Sequence, residues 1–557
     1  MTRLSSVLCA TAIVVTVATA RPVSQTEVLS DPLMLTATNP TRLREADVLV
    51  DRMVRLNDLQ VTEVLADALV PGHQHEHFAQ FYNGVRVFGG NVTRQTASGL
   101  TVSVFGQVYP NVTIDTEPTL RADTVPAHMV SQFGLTPLTN ADPELLVLKD
   151  ETGTFRLVHR LTAAAPDGPR VCFVDAHTGA MVWESSAIRT SSDQLPCNTC
   201  TVGQGRGVKG DAKKISVRSM GGGFRTVDLL RPSQIITYDM NGDWERLFAF
   251  LNGAETLRAS DIGHDTDNNW NDGAVVDGHV GAGWTYDYLY ARFGRRGLDD
   301  RNGPITSVVH PVRRSDLFTV PDEIFRLFYL NAFYCGECGP NGVVVYGEGL
   351  PTDHVLTSTG QTVDFFAGAL DIVSHELAHG VIDSTSHLIY QNESGALNEA
   401  FSDIIGVSAE FFMAESGRHD PEQADYILGE DVFKPNGIRS IADPLSFGDP
   451  DHYSIRFLGS SDNGGVHTNS LIASHAFYLA IEGGTNRTSG LSVTGVGSQS
   501  RAQIEQAFYR AFTMLMPGDA TFAIARTTTV QSARDMFGTG HEVERAITEA
   551  WTAVGVE

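Results

Sequence analysis

The residues best placed to do chemistry are His375-Glu376-Leu377-Ala378-His379. Ile372, Val373, Leu377, Ala378, Val381 and Ile382 recur around them at helical spacing, which predicts an amphipathic helix. Histidines at i and i+4 then share one face, one turn apart, where two imidazoles can hold a single ion. Glu376 stands beside the first of them, within reach of a water activated by that ion. A short motif of this kind also arises by chance, and an independent element has to support it.

That element is Asn398-Glu399-Ala400-Phe401-Ser402-Asp403, inside a second helical pattern from Ala396 to Met413. Glu399 can supply a third ligand. Asp403, one turn on, can accept the free ring N–H of His375 and fix its tautomer. Lone carboxylates usually mark a solvated helix face, but these lie among Ala, Phe, Ile and Val. Three protein ligands plus water make the open, catalytic form of a zinc site.

Several longer runs follow. They are His387 to Glu399, Gly448-Asp449-Pro450-Asp451-His452-Tyr453-Ser454, and Asp462-Asn463-Gly464-Gly465-Val466-His467-Thr468-Asn469-Ser470. With the two-histidine run, and over roughly residues 200–557, they closely resemble the thermolysin family of zinc metallopeptidases. The resemblance implies an α+β fold with a β-rich lobe (196–365) and a helical lobe (366–557) around a zinc cleft. Residues 21–195 are similar to the family's propeptide, two small α+β modules that inhibit the catalytic part and assist its folding.

The resemblance also implies roles. His375, His379 and Glu399 hold one Zn²⁺, Glu376 is general base and acid, and Tyr390 and His467 stabilise the oxyanion, with Asp462 orienting His467. Asn331 and Ala332 match positions that bind the substrate backbone, and Arg439 the arginine that grips a substrate carbonyl. Phe366, Ile372, Leu428, Val432 and Ile438 match an apolar pocket, implying cleavage before a bulky apolar residue. Asp371, Glu410, Asp425 and Glu430 match a Ca²⁺ cluster, and Asp265 with Asp267 a further calcium loop. Phe433 to Ile438 is shorter than a third family calcium site and lacks its Asp.

Elements and composition bound the rest. The stretch from His75 to Gly90 alternates around Asn83-Gly84, a hairpin signal, and Leu157–Leu161 and Val171–Val182 read as further strands. The segment 186–207, rich in Ser, Thr, Gly and Asp, reads as an exposed linker where maturation would cut. Residues 208–345 read as strand-rich. Arg3, an apolar run from Val7 to Val17 and Ala18-Thr19-Ala20 read as an export signal over residues 1–20, too short to span a membrane. Export favours disulfides over structural zinc for Cys197-x-x-Cys200 and Cys335-x-x-Cys338, with the pairing open among three arrangements and Cys172 left over.

The 557 residues carry 40 Lys and Arg against 66 Asp and Glu, a net charge of −26. That balance speaks against a nucleic-acid or anionic-membrane binder, and it suits a soluble, monomeric protein holding hard cations. The expected activity is that of a secreted zinc endopeptidase made as a zymogen, acting on protein and peptide substrates with its own propeptide as inhibitor. The alternatives are another zinc hydrolase using the same helix, and a catalytically inactive, metal-stabilised extracellular binding protein. Binding alone needs no acid–base set, so Glu376, Tyr390 and His467 together argue against the second.

Overall fold

The computed structural model describes residues 33–38, 40–137, 143–150, 153–165, 168–186, 199–339, 341–418 and 424–557. The export-signal reading, Cys197 and most of the linker lie outside them. Elements of both kinds are segregated along the chain, giving the α+β class.

The N-terminal region builds a ten-stranded sheet among the described residues. Its centre is the hairpin of His73–Tyr82 and Val85–Ala97, closed by Asn83 and Gly84, both at positive φ. That pair of left-handed residues matches the right-handed twist of the strands it joins. The helix Pro40–Arg55 packs on this sheet through Ala46, Val50 and Met53.

The next lobe carries two five-stranded sheets. In the second, Ile235–Asp239, Ile305–Val309 and Val343–Val345 run parallel, and Phe333–Cys335 pairs antiparallel to the last as an edge strand. Two features depart from the sequence reading. Residues 200–206, read as linker, form a strand paired with Ala212–Met220. A Cβ on Gly205 would stand 2.7 Å from Val276, so glycine serves close approach here, and its frequency imitates a linker.

The second departure is the 21-residue helix Gly273–Phe293, inside the stretch read as strand-rich. Fifteen of its 21 residues are buried, on every side, so no polar face or helical period stands out. Gly281 faces Val373, where a Cβ would come within 3.0 Å, and this lets the buried helix lie against the two-histidine helix Leu370–Asp383. That contact joins the β-rich lobe to the catalytic motif.

The helix N-terminus is tied to the sheet by a charged relay. Asp272 caps it by accepting from Val275 N–H at 3.2 Å, and His310 lies between Asp272 and Glu348, 3.0 Å from each. Burial alone would depress His310, but its hydrogen bonds and charge interactions with the two carboxylates raise it to about 10. A raised histidine contributes stability that is complete below its ordinary value of 6.5 and lost as pH rises toward about 10. Thermal midpoints of the protein are therefore expected to fall over that interval. His310→Gln should flatten that fall and cost roughly 2–3 kcal/mol at neutral pH, because Asp272 stays partly in water.

The helical lobe follows. Asn392–Glu415 packs between the two-histidine helix and Asp462–Glu482, and Arg501–Arg510, Phe522–Phe537 and Glu542–Ala553 close the far side around Phe508, Phe512 and Trp551. No described helix is long and apolar enough to cross a membrane.

Candidate active site

His375 and His379 project from Leu370–Asp383 with ring centroids 4.9 Å apart, toward Glu399 on the facing helix. His375 Nε2 is 3.4 Å from Glu399 Oε2, and His379 Nε2 is 3.5 Å from Oε1. The ligand edges of a tetrahedral zinc with bonds near 2.0–2.1 Å are about 3.3 Å, so this spacing fits the donor set. The other ring nitrogens are engaged. His375 Nδ1 lies 2.9 Å from Asp403 Oδ1, and His379 Nδ1 lies 2.8 Å from Asn398 Oδ1 and 3.2 Å from Ser402 Oγ. The Asp403 carboxylate beside His375 Nδ1 and the oxygens beside His379 Nδ1 favour the proton on Nδ1, so each Nε2 keeps its lone pair for a metal. Glu399 is 1 % exposed, and its Oε2 lacks a hydrogen-bond partner among the described residues. A buried carboxylate oxygen in that state is suited to a cation.

Glu376 is buried, and its carboxylate lies within 4.8 Å of the ligating atoms of both histidines. Tyr390 donates its hydroxyl to Glu399 Oε1 and stands 3.3 Å from His467 Nε2. A run of left-handed residues from Asp462 to Gly465 precedes His467 and turns the chain into its helix. Asp462 takes the His467 backbone N–H at 2.9 Å and its Nδ1 at 2.6 Å, which fixes the ring with Nε2 toward Glu399 at 3.6 Å.

The cleft walls come from both lobes. Asn331 precedes the edge strand, exposed, and Ala332 is buried. Gly347 lets the Asn331 carbonyl approach beside Phe366, since a Cβ there would sit 2.3 Å from that oxygen and 3.1 Å from the ring. Phe366, Ile372, Leu428 and Val432 are buried and Ile438 is 39 % exposed. Ile372 and Ile438 meet across Gly429. Arg439 does not reach free into the cleft. Its guanidinium is held by Asp403, with Nε 3.1 Å from the carboxylate.

Family models match this chain as the thermolysin metallopeptidase catalytic domain over residues 202–383, its α-helical domain over 386–556, and the fungalysin/thermolysin propeptide motif over 57–108. The thermostable neutral protease NprT of Geobacillus stearothermophilus is 34% identical over 513 residues, 87% of this chain and 84% of that protein. The chain belongs to the thermolysin metallopeptidase family. Bacillolysin of Bacillus cereus is 34% identical over 514 residues, covering 86% of this chain and 81% of that protein. Among solved structures, the precursor of protealysin from Serratia proteamaculans is 28% identical, with a TM-score of 0.43, over 58% of this chain and 87% of that one.

As a thermolysin-family metallopeptidase, the protein is a hydrolase carrying a propeptide motif, and a second acidic group lies beside its two-histidine helix. Asp371 and Glu410 are fully buried, and Glu410, Glu430 and Asp431 bring carboxylate oxygens within 4.8 Å of one another. Burial, and then repulsion among Asp371, Glu430, Asp431 and Asp425, pushes Glu410 well above the usual carboxylate range; Glu430 is pushed up to about 9 by burial and the same neighbours. Both Glu430 oxygens are buried without a hydrogen-bond partner among the described residues. Oxygen ligands in this number suit Ca²⁺. Asp371 instead accepts from Ile372 N–H at 2.7 Å and Gly429 N–H at 2.6 Å, and Asp425 from Ile427 N–H at 2.6 Å.

Asp265 and Asp267 accept from N–H groups of their own loop, at 2.9 Å from Asp267 and Asn269 respectively, and no group of three ligands gathers on them among the described residues. The sequence reading missed Asp431 and its ion pair with Lys209, the Asn398 and Ser402 contacts of His379, and the Arg439–Asp403 pair. Asp431 adjoins Glu430 and Asn398 adjoins Glu399, so sequence adjacency offered a signal for both. Nothing in the sequence couples Lys209 to Asp431. Cys335 and Cys338 are bonded to each other, and Cys200 is also disulfide-bonded, so no bridge joins the two pairs. Cys172 is free and buried.

Proposed function

We propose that this metallopeptidase is a secreted zinc endopeptidase made as a zymogen, cutting on the amino side of bulky apolar residues. The observation that carries the reading is the convergence of His375, His379 and Glu399 at 3.4–3.5 Å beside Glu376, Tyr390 and His467. Zinc, when bound by His375, His379 and Glu399, supplies Lewis acidity that polarises the scissile carbonyl and brings a water's pKa toward about 7. Glu376 takes the water's proton and passes it to the leaving amine. Tyr390 and His467 donate to the oxyanion of the tetrahedral intermediate, with Asp462 holding His467 as the donor. Asp403 positions both His375 and Arg439.

A substrate peptide adds as a strand beside Phe333–Cys335, with Asn331 and the Ala332 carbonyl taking its backbone. The pocket of Phe366, Ile372, Leu428, Val432 and Ile438 takes the side chain after the cut. Phe366 is bulky and buried, so Leu, Ile and Val are favoured over Phe. Residues 1–20 serve as signal, 21–195 as pro-region, 196–365 as β-rich lobe and 366–557 as helical lobe. Calcium is held by Glu410, Glu430 and Asp431 with Asp371 and Asp425. N-terminal sequencing, intact mass and metal content of the secreted protein test this together, and digestion of a peptide library tests the specificity. We expect one zinc per chain and an N-terminus within 186–207, ahead of the strand that begins at Cys200. Cleavage after charged residues with no apolar preference would overturn the specificity, and a zinc-free active enzyme the mechanism.

A further inference from the structure

The N-terminal region grips the helical lobe through a buried charge. Asp67 follows the strand Leu59–Ala66, and its Oδ1 accepts from the N–H groups of Leu69 and Val70, both at 2.9 Å, which fixes the carboxylate. Its Oδ2 lies 2.8 Å from His75 Nε2 and accepts from Arg510 Nε at 2.8 Å. Arg510 ends the helix Arg501–Arg510, and its side chain is fully buried. The same guanidinium donates through Nη1 to Asp535 Oδ2 at 2.9 Å, and Gln95 of the hairpin donates to that oxygen at 3.0 Å. One arginine is thus shared by two carboxylates, one from each side of the contact. Leu69 beside them packs on the core of the catalytic unit.

Burial would raise Asp67, but the hydrogen bond from His75 and the charge of Arg510 more than reverse this and hold it well below the usual carboxylate range. A planar guanidinium suits such two-sided pairing. A second foothold lies on the other lobe, where Thr162 donates to Glu337 at 2.9 Å, within the loop closed by Cys335 and Cys338.

We propose that Arg510 is the receptor for the pro-region: the Asp67–Arg510–Asp535 bridge keeps the cleaved pro-region seated on the helical lobe, and latency lasts until it opens. This rests on the reading of residues 21–195 as a pro-region removed by cleavage. The bridge is asymmetric, because Asp535 stays with Arg510 when Asp67 departs. The two carboxylates should therefore act in opposite directions. Losing Asp67 removes the charged bond that holds the pro-region and leaves the neutral contacts of Gln95 and Thr162. Neutralising Asp535 as Asn keeps an amide oxygen for Gln95, leaves Arg510 with Asp67 as its remaining anion and tightens the hold.

The test uses the full chain, secreted and allowed to process, followed by size-exclusion chromatography with intact mass of both fragments and the lag before peptide hydrolysis appears. Asp67→Asn should shorten the lifetime of the co-eluting pair, and the lag, by roughly tenfold or more. Asp535→Asn should lengthen both. An Asp67→Asn pair as long-lived as wild type would overturn the proposal, as would an Asp535→Asn pair that separates faster. If Asp67→Asn is not secreted, the direction of the Asp535→Asn change decides. A wild-type chain that is never cut ahead of the β-rich lobe would overturn the pro-region reading and the proposal with it; cutting with unaltered retention would overturn the Arg510 anchor alone.

Discussion

Glu376→Gln is expected to reduce peptide hydrolysis by about 10²–10⁴-fold while zinc stays bound. The substitution keeps the side chain's volume in a buried position, 7 % exposed, and touches none of the three groups proposed to hold zinc. What it removes is a proton acceptor. A glutamine can hydrogen-bond a water but cannot take its proton or return one to the leaving amine. The loss should fall on kcat, with KM changing about twofold or less, because the cleft walls are untouched. Zinc per chain, measured by mass spectrometry of the dialysed protein, should equal wild type. If the chain matures by its own activity, the variant should also accumulate as an uncut precursor. Hydrolysis within about tenfold of wild type would remove Glu376 from its role as general base. Loss of zinc in the variant would move it from the water to the metal.

The sequence discloses groups that chemistry places at fixed local spacing. His375 and His379 had to share a helix face once the helix was read, and the Asn83-Gly84 hairpin announced itself by alternation on either side of a left-handed pair. What stayed hidden depends on distance along the chain or on burial from every side. The helix Gly273–Phe293 has no polar face because it lies inside the lobe, so no period marks it. The pairs Arg439–Asp403 and Lys209–Asp431 join segments whose approach only the fold defines. Arg510 and Asp67 are the extreme instance, a pair that belongs to two separately matched regions. Motifs therefore located the candidate groups, while the partners that hold those groups had to be read from packing.

Removing calcium is expected to lower the thermal midpoint by roughly 3–4 °C, and Glu430→Gln to reverse the ranking once calcium is gone. Glu410, Glu430 and Asp431 face one another with Asp371 buried beside them, and Lys209 is ion-paired to Asp431. Carboxylates gathered at this depth repel strongly, and a divalent ion converts that repulsion into ligation. At a thousandfold excess over Kd a single site contributes about 4 kcal/mol to the folded state, which for a chain of this size is roughly 3–4 °C. Differential scanning calorimetry of the full chain in millimolar calcium and in chelator measures the difference. Glu430→Gln weakens the site, so in calcium the variant should melt below wild type. In chelator the wild-type carboxyl, pushed up to about 9, must be held protonated against its ordinary value, a cost that glutamine avoids, so the variant should melt about 1 °C above, roughly 1 kcal/mol of relief. A variant that melts below wild type in both solutions would show that Glu430 supports the fold through packing, and that the acidic group owes nothing to a cation.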